Sequence, residues 1–294
     1  MSRVRISSSA SFPIYVTLAI LSVLRDEAPR LPSFLGLLNS LEFLPQLGGI
    51  QCSFYENDSS DSTPVLLHRW MESRAGSLIC ERFGERPHGP FSREASRTIR
   101  LADARNKALQ PLLDTDCSWL LVIDADLVVR PDQVLSLLEI AQANPSASMV
   151  CASAVQTVPD VLGDVPYSYY DSWALRDLDG NGGLTFLQNP FQRTLDRWRW
   201  MACVPVSVQS AFGGMAILPM ALIRRLRPRW DGTHGCEHWS FCDAVRQHGS
   251  VLACPSVMPL ALHPNGAPRW TEAYANKVRQ FIASRPTFAR APIR

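Results

Sequence analysis

No apolar run in the sequence is long enough to span a membrane. The longest, Phe12 to Leu24, is 13 residues. A spanning helix needs ~20, and this run holds Pro13 among the strand formers Ile14, Tyr15, Val16 and Thr17. It reads as a buried first strand. The chain is therefore expected to be soluble and cytoplasmic, with the lumen of the secretory pathway or Golgi as the alternative if an anchor has been removed. CxxC pairs are lacking although there are eight cysteines, which argues against zinc ribbons and dithiol redox motifs. Reduced, mostly buried thiols are the expectation, and one or two disulfides the alternative. An excess of one charge is lacking too: the formal net charge of +2 gives no reason to expect nucleic acid as a partner. There is no internal repeat. What is present is ordinary globular composition, with 46% hydrophobic and 19% charged residues over 294 positions, enough for a sizeable core.

Residues 1 to 11, rich in Ser and Arg, read as disordered, and 285 to 294 as a basic tail. Between them, strands alternate with helices. Strand 14 to 22 leads to a helix over 31 to 44 with Pro32 in its first turn, a strand over 50 to 55, a helix from Pro64 to about Ser73, and a short strand over 77 to 81. A helix over 96 to 113, a strand over 119 to 123, a helix over 133 to 143 and a strand over 149 to 154 follow. This alternation predicts an α/β fold with a mostly parallel central sheet flanked by helices, and ligands at the carboxyl ends of its strands. From 155 to 210 the pattern breaks at Pro159, Pro166, Gly180 and Pro190, and long loops with little regular structure are expected. Strand 216 to 218, helix 237 to 248, strand 251 to 253 and a closing helix over 272 to 282 complete the reading.

The sharpest chemical signal is Leu120-Leu121-Val122-Ile123-Asp124-Ala125-Asp126. An apolar strand ending in two carboxylates one residue apart can offer both to one hard cation, Mg²⁺ or Mn²⁺, which would bridge a diphosphate. Such acids also cap strands and helices, so the pair alone decides little. Three neighbours strengthen it. Glu56 follows a predicted strand and can accept hydrogen bonds from a base or ribose, while Asp58, Ser59, Asp61 and Thr63 can cap the next helix. Arg97, Arg100, Arg105, Asn106 and Lys107 share one predicted helix, with Arg97, Arg100 and Lys107 on one face that could bind phosphates or simply meet solvent. His263, an imidazole suited to Mn²⁺, could complete the coordination begun by Asp126, although a histidine before Pro264 is more often a loop residue.

Glu237 opens a predicted helix whose dipole favours a carboxylate there, which is a cap or a catalytic group. Tyr167, Tyr169, Tyr170, Trp173, Trp198 and Trp200 crowd the irregular segment. Their faces suit sugar rings, with Asp171 and Asp177 placed to bind hydroxyls, or else they form the core of an irregular subdomain. Arg197-Trp198-Arg199-Trp200 interleaves cations and rings but is too short to indicate nucleic acid.

Arg25-Asp26-Glu27 after the first strand, the run Tyr55 to Thr63, Ala104-Arg105-Asn106 and Asp124-Ala125-Asp126 resemble successive landmarks of GT-A glycosyltransferases. Within them, Tyr-Glu-x-x-Ser-x-Asp-x-Thr from Tyr55 and the stretch Tyr169 to Asp177 resemble the fungal capsule-associated α-1,3-mannosyltransferases, over roughly residues 14 to 265. The resemblance implies a single GT-A domain over 12 to 284, with a donor-binding half at 12 to 154 and an acceptor and catalytic half at 155 to 284. It also implies a GDP- or UDP-sugar donor, such as GDP-mannose, and a glycan or glycoconjugate acceptor. Glu56 would lie near the nucleoside, and Asp124 and Asp126 at ribose and metal. Gly213 and Gly214 would let the backbone approach the donor sugar, and Glu237 and His238 would lie beside the reacting centre. Glu237 would be the general base of an inverting enzyme, or would stabilise an oxocarbenium-like centre or position the acceptor in a retaining one. The competing readings are a metal-dependent phosphoryl or sugar-nucleotide hydrolase, which would need further clustered His and Asp ligands, and an inactive carbohydrate-binding protein of the same fold.

Overall fold

The computed structural model describes residues 16–84, 94–157, 167–184 and 188–262. The first half alternates as expected: β1 (Val16–Leu24), α1 (Leu31–Glu42), β2 (Leu47–Asn57), α2 (Thr63–Met71), β3 (Gly76–Glu81), α3 (Ala95–Leu113) and β4 (Trp119–Ile123). Prolines open α1 and α2, where their missing N–H would have no helical partner anyway. The four strands are parallel, in the order β3-β2-β1-β4. Both faces are covered. Leu18, Ile20 and Leu24 of β1, with Leu121 and Ile123 of β4, pack against Phe34, Leu38, Leu67 and Trp70 of α1 and α2. Ala19 and Leu21 of β1, with Leu120 and Val122 of β4, face Ala108, Leu109 and Leu112 of α3. This two-sided burial is why the strands read as unbroken apolar runs.

Beyond β4 come β5 (Leu127–Val128), α4 (Pro131–Ala143), β6 (Ala147–Cys151), β7 (Val155–Thr157), β8 (Tyr167–Tyr169), α5 (Thr194–Met201) and β9 (Val206–Val208). β10 (Met215–Pro219), α6 (Met220–Leu226), α7 (Glu237–Arg246), β11 (Ser250–Ala253) and β12 (Leu260–Ala261) follow. The central sheet runs β3-β2-β1-β4-β10-β6-β11-β9, with β10 and β9 antiparallel to their neighbours. A smaller sheet, β5-β12-β7-β8, lies beyond the end of β4.

The stretch 155 to 210 is thus more regular than its sequence suggests. Its strands are three residues long, too short to show a period. α5 buries only Asp196 and Trp200, so it lacks an apolar core stripe. The expected helix over 272 to 282, the segment 1 to 11 and the tail 285 to 294 lie outside the described residues. All eight cysteines are free thiols, six of them buried. Among the described residues, no helix is long and apolar enough to cross a membrane.

Candidate functional site

A cleft opens at the carboxyl ends of β1 and β4, where the parallel half of the sheet meets β10. Asp124 ends β4, and its N–H donates to the carbonyl of Gly214 at 2.9 Å. Asp126, two residues on, has its carbonyl bonded by the N–H of Leu262 at 2.7 Å and its carboxylate approached by Tyr170 Oη at 3.4 Å. Strand pairing to β10 and β12 therefore holds both ends of the Asp-Ala-Asp turn. His263, the third ligand of the sequence reading, lies outside the described residues.

α3 supplies the opposite wall through Arg97, Leu101 and Arg105, spaced four apart along one stripe. This redraws the grouping expected from the sequence. Arg100 lies over Phe83 at 5.2 Å, and Lys107 pairs with Glu81 at 2.7 Å and Asp103 at 2.8 Å. Neither lines the cleft. Arg105 is the hub: Nη1 donates to Glu237 Oε1 at 2.6 Å and Nη2 to Asp124 Oδ1 at 3.3 Å. The two carboxylates, 113 positions apart by their numbers, are bridged by one buried guanidinium. Burial, then the neighbouring charges of Asp126, Asp171 and Glu237, push the Asp124 carboxyl well above its usual range against the pull of Arg105.

Glu237 is the first residue of α7, and Gly235 before it has φ +124°, where a Cβ would meet the ring of Trp239 at 2.2 Å. His238 stacks on Phe212 with centroids 4.1 Å apart, and its Nδ1 accepts the indole N–H of Trp230 at 3.3 Å. Burial, helped by Arg105, holds its pKa well below the ordinary range, so the ring is neutral. With Nδ1 accepting, the remaining proton sits on Nε2, which makes His238 a hydrogen-bond donor and not a base. Trp230 is itself fixed by Asn106, whose amide donates to its carbonyl at 2.9 Å and accepts its N–H at 3.0 Å.

Asp171 faces Asp124 from the loop after β8. It accepts N–H groups of Gly213 at 3.1 Å and Ala174 at 3.3 Å, yet burial pushes its pKa up to about 6. Gly213 and Gly214 have φ of +61° and +76°, and a Cβ on Gly213 would meet the Ala152 carbonyl at 2.0 Å. Their glycines serve the turn that joins β10 to Asp124, and they do not line the cleft. Asp177 accepts the N–H groups of Asp179 and Asn181, both at 2.9 Å, and organises its own turn.

Glu56 and Asp58 also stand behind the cleft wall. Glu56 is buried and accepts Ser59 N–H at 2.9 Å, while Asp58 accepts those of Phe83 and Gly84. What reaches the cleft from that side is Glu27, which the sequence reading named only as part of the Arg25-Asp26-Glu27 landmark after the first strand and not as a site residue. Its N–H donates to Thr63 Oγ1 at 2.7 Å, and Ala28 N–H donates to Asp61 at 3.0 Å. The loop over 56 to 63 is thus the scaffold that holds Glu27. Burial lifts Glu27 to about 7 even though it pairs with Arg30.

The cleft is lined by five carboxylates, Glu27, Asp124, Asp126, Asp171 and Glu237, against two arginines. Hard oxygen donors in excess of positive charge suit a hard divalent cation that a substrate's phosphates help to ligate. Among the described residues, no three His, Cys, Asp or Glu side chains converge into a ready-made cage.

A family model described as Cryptococcal mannosyltransferase 1 matches residues 19–248. Among solved structures, the chain is similar to mannosyltransferase PcManGT from Pyrobaculum calidifontis in complex with GDP-Man and Mn²⁺, with a TM-score of 0.52 and 17% identity. That match covers 92% of this chain and 63% of the other. It is also similar to GalNAc-T7 with UDP, GalNAc and Mn²⁺, with a TM-score of 0.51, 11% identity and coverage of 85% and 44%. A third is TarS 1-349 of S. aureus in complex with UDP, with a TM-score of 0.50, 11% identity and coverage of 91% and 71%. At such identities the likeness is one of fold. The chain spans less than two thirds of PcManGT and under half of GalNAc-T7. A search of the curated proteins gave no match. With 230 of its 294 residues matched by the family model, the GT-A architecture in place and the carboxylate cleft at the ends of β1 and β4, the chain belongs to the Cryptococcal mannosyltransferase 1 family and is a glycosyltransferase.

Proposed function

We propose that the chain transfers mannose from GDP-mannose to a hydroxyl of a glycan or glycoconjugate, with Mn²⁺ or Mg²⁺ held by Asp124, Asp126 and His263. The observation that carries this reading is Arg105, whose one guanidinium holds Asp124 and Glu237 side by side in the cleft. The cation would neutralise charge developing on the leaving nucleoside diphosphate. Arg97, which lines the same wall, would meet the phosphates.

Glu237 is held by Arg105 and serves as a fixed negative charge beside the anomeric carbon, where positive charge grows as the glycosidic bond to the donor breaks. His238 Nε2–H donates to a sugar hydroxyl. Asp171, near enough to Glu237 to feel its charge and lifted to about 6, would take the acceptor's proton near neutral pH. Trp173 and Tyr170 line the acceptor side and offer ring faces to a sugar. A panel of sugar nucleotides assayed with and without Mn²⁺, with the anomeric configuration of the product determined, tests the reading. Turnover that ignores the metal, or donor hydrolysis that no glycan acceptor diverts, would overturn it.

A further inference from the structure

α5 presents an apolar face that no described element covers. Leu195, Trp198 and Met201 are 57%, 65% and 68% exposed, and Val204 just beyond the helix is 47% exposed. At about 100° per residue the three helical side chains fall within an arc of about 120°, with exposed Arg197 at one margin and exposed Arg199 at the other. The opposite side anchors the helix. Trp200 packs edge-on against Tyr169 at 5.6 Å and Phe191 at 5.5 Å, and buried Asp196 lies 3.5 Å from Arg193.

A single exposed leucine needs no explanation, but a large contiguous apolar stripe with an exposed indole does. We propose that α5 docks on an anionic lipid surface. Leu195, Trp198 and Met201 enter the boundary between headgroups and acyl chains, while Arg197 and Arg199 extend to lipid phosphates and carboxylates at either edge. The charge pattern selects this occupant. Single-stranded nucleic acid would need ring faces, yet the second ring, Trp200, is only 6% exposed, and Leu195 and Met201 offer no plane for a base. Two copies of the face meeting symmetrically would bring four arginines together with no exposed acid from the helix to answer them, since Asp196 is buried. The inference rests on no part of the mannosyl-transfer reading.

Co-sedimentation of the 294-residue chain with vesicles of pure phosphatidylcholine and of phosphatidylcholine with about 30 mol% phosphatidylserine tests it. The expected result is binding to the anionic vesicles that weakens with added salt. Arg197→Ala and Arg199→Ala should each lower partitioning roughly fivefold, and Trp198→Ala should lower it by about tenfold. Phe43→Ala, at an 81% exposed position after α1, should leave binding unchanged. These side chains lie in solvent, so circular dichroism and the melting temperature should not move. Absence of binding to either vesicle, or binding that survives Trp198→Ala, overturns the proposal. So does a dimer in sedimentation velocity that Trp198→Ala dissolves, or retention of a single-stranded oligonucleotide in place of vesicles.

Discussion

Arg105 gives the individual side chains of the cleft different jobs. Because it engages Glu237 at 2.6 Å and Asp124 at 3.3 Å, replacing either acid changes the setting of the other. Asp126→Asn removes a charge from the proposed coordination set, so metal and donor binding should weaken together. Glu237→Gln keeps shape and loses the charge beside the reacting carbon, so donor affinity should stay within about threefold while turnover falls by roughly 10². Calorimetry of GDP-mannose binding beside steady-state turnover separates the two; near-normal turnover in Glu237→Gln would reduce Glu237 to a helix cap. Asp171 makes a pH prediction. With its pKa near 6, kcat/KM should rise through about pH 6, and Asp171→Asn should flatten that limb and lower turnover by ~10². Its effect on stability has the opposite slope. A carboxyl whose folded pKa is raised from 3.8 to about 6 contributes stability that is full below 3.8 and is lost as pH rises through 6. Asp171→Asn should therefore gain on wild type by about 1–3 kcal/mol between pH 4 and pH 7.5 in urea titrations.

At the scale of elements, one turn and one clamp position the site. Gly213→Ala adds a Cβ 2.0 Å from the Ala152 carbonyl at φ +61°, so it should destabilise by about 2 kcal/mol or more and disturb the turn that carries Asp124 and Asp171. Gly36→Ala, in α1 with nothing within 4 Å, should instead stabilise by about 0.5–1 kcal/mol. Denaturant titration of the pair checks both signs. Asn106→Ala strips both backbone bonds from buried Trp230 and should cost about 2–3 kcal/mol. It should also lower turnover without removing any group that lines the cleft, because Trp230 sets the His238 tautomer. The elements of the first half were legible in sequence, since strands buried on both faces and helices opened by proline leave a strong pattern. The short strands β7 to β9 and helix α5 were not, because three-residue strands carry no period and α5 buries only Asp196 and Trp200.

For the molecule as a whole, ligand binding should register as stability. Mn²⁺ and GDP together at about a hundredfold their joint dissociation constant contribute ~2.7 kcal/mol, which for a chain of this size raises the melting temperature by roughly 4–5 °C. Chelation with EDTA, or Asp126→Asn, should abolish most of the rise in a thermal shift assay. The sequence alone determined the α/β alternation, the Asp124-Ala125-Asp126 turn at the end of a buried strand and the family resemblance, because each is written in contiguous residues. Tertiary structure decided which charges meet. It chose Arg105 over Arg100 and Lys107 by the rotation of α3, brought Glu27 into the cleft and left Glu56 and Asp58 behind it, and joined Asp124 to Glu237 across 113 positions. Such pairings depend on the angle at which helices pack on a twisted sheet, and no local pattern of residues encodes that angle.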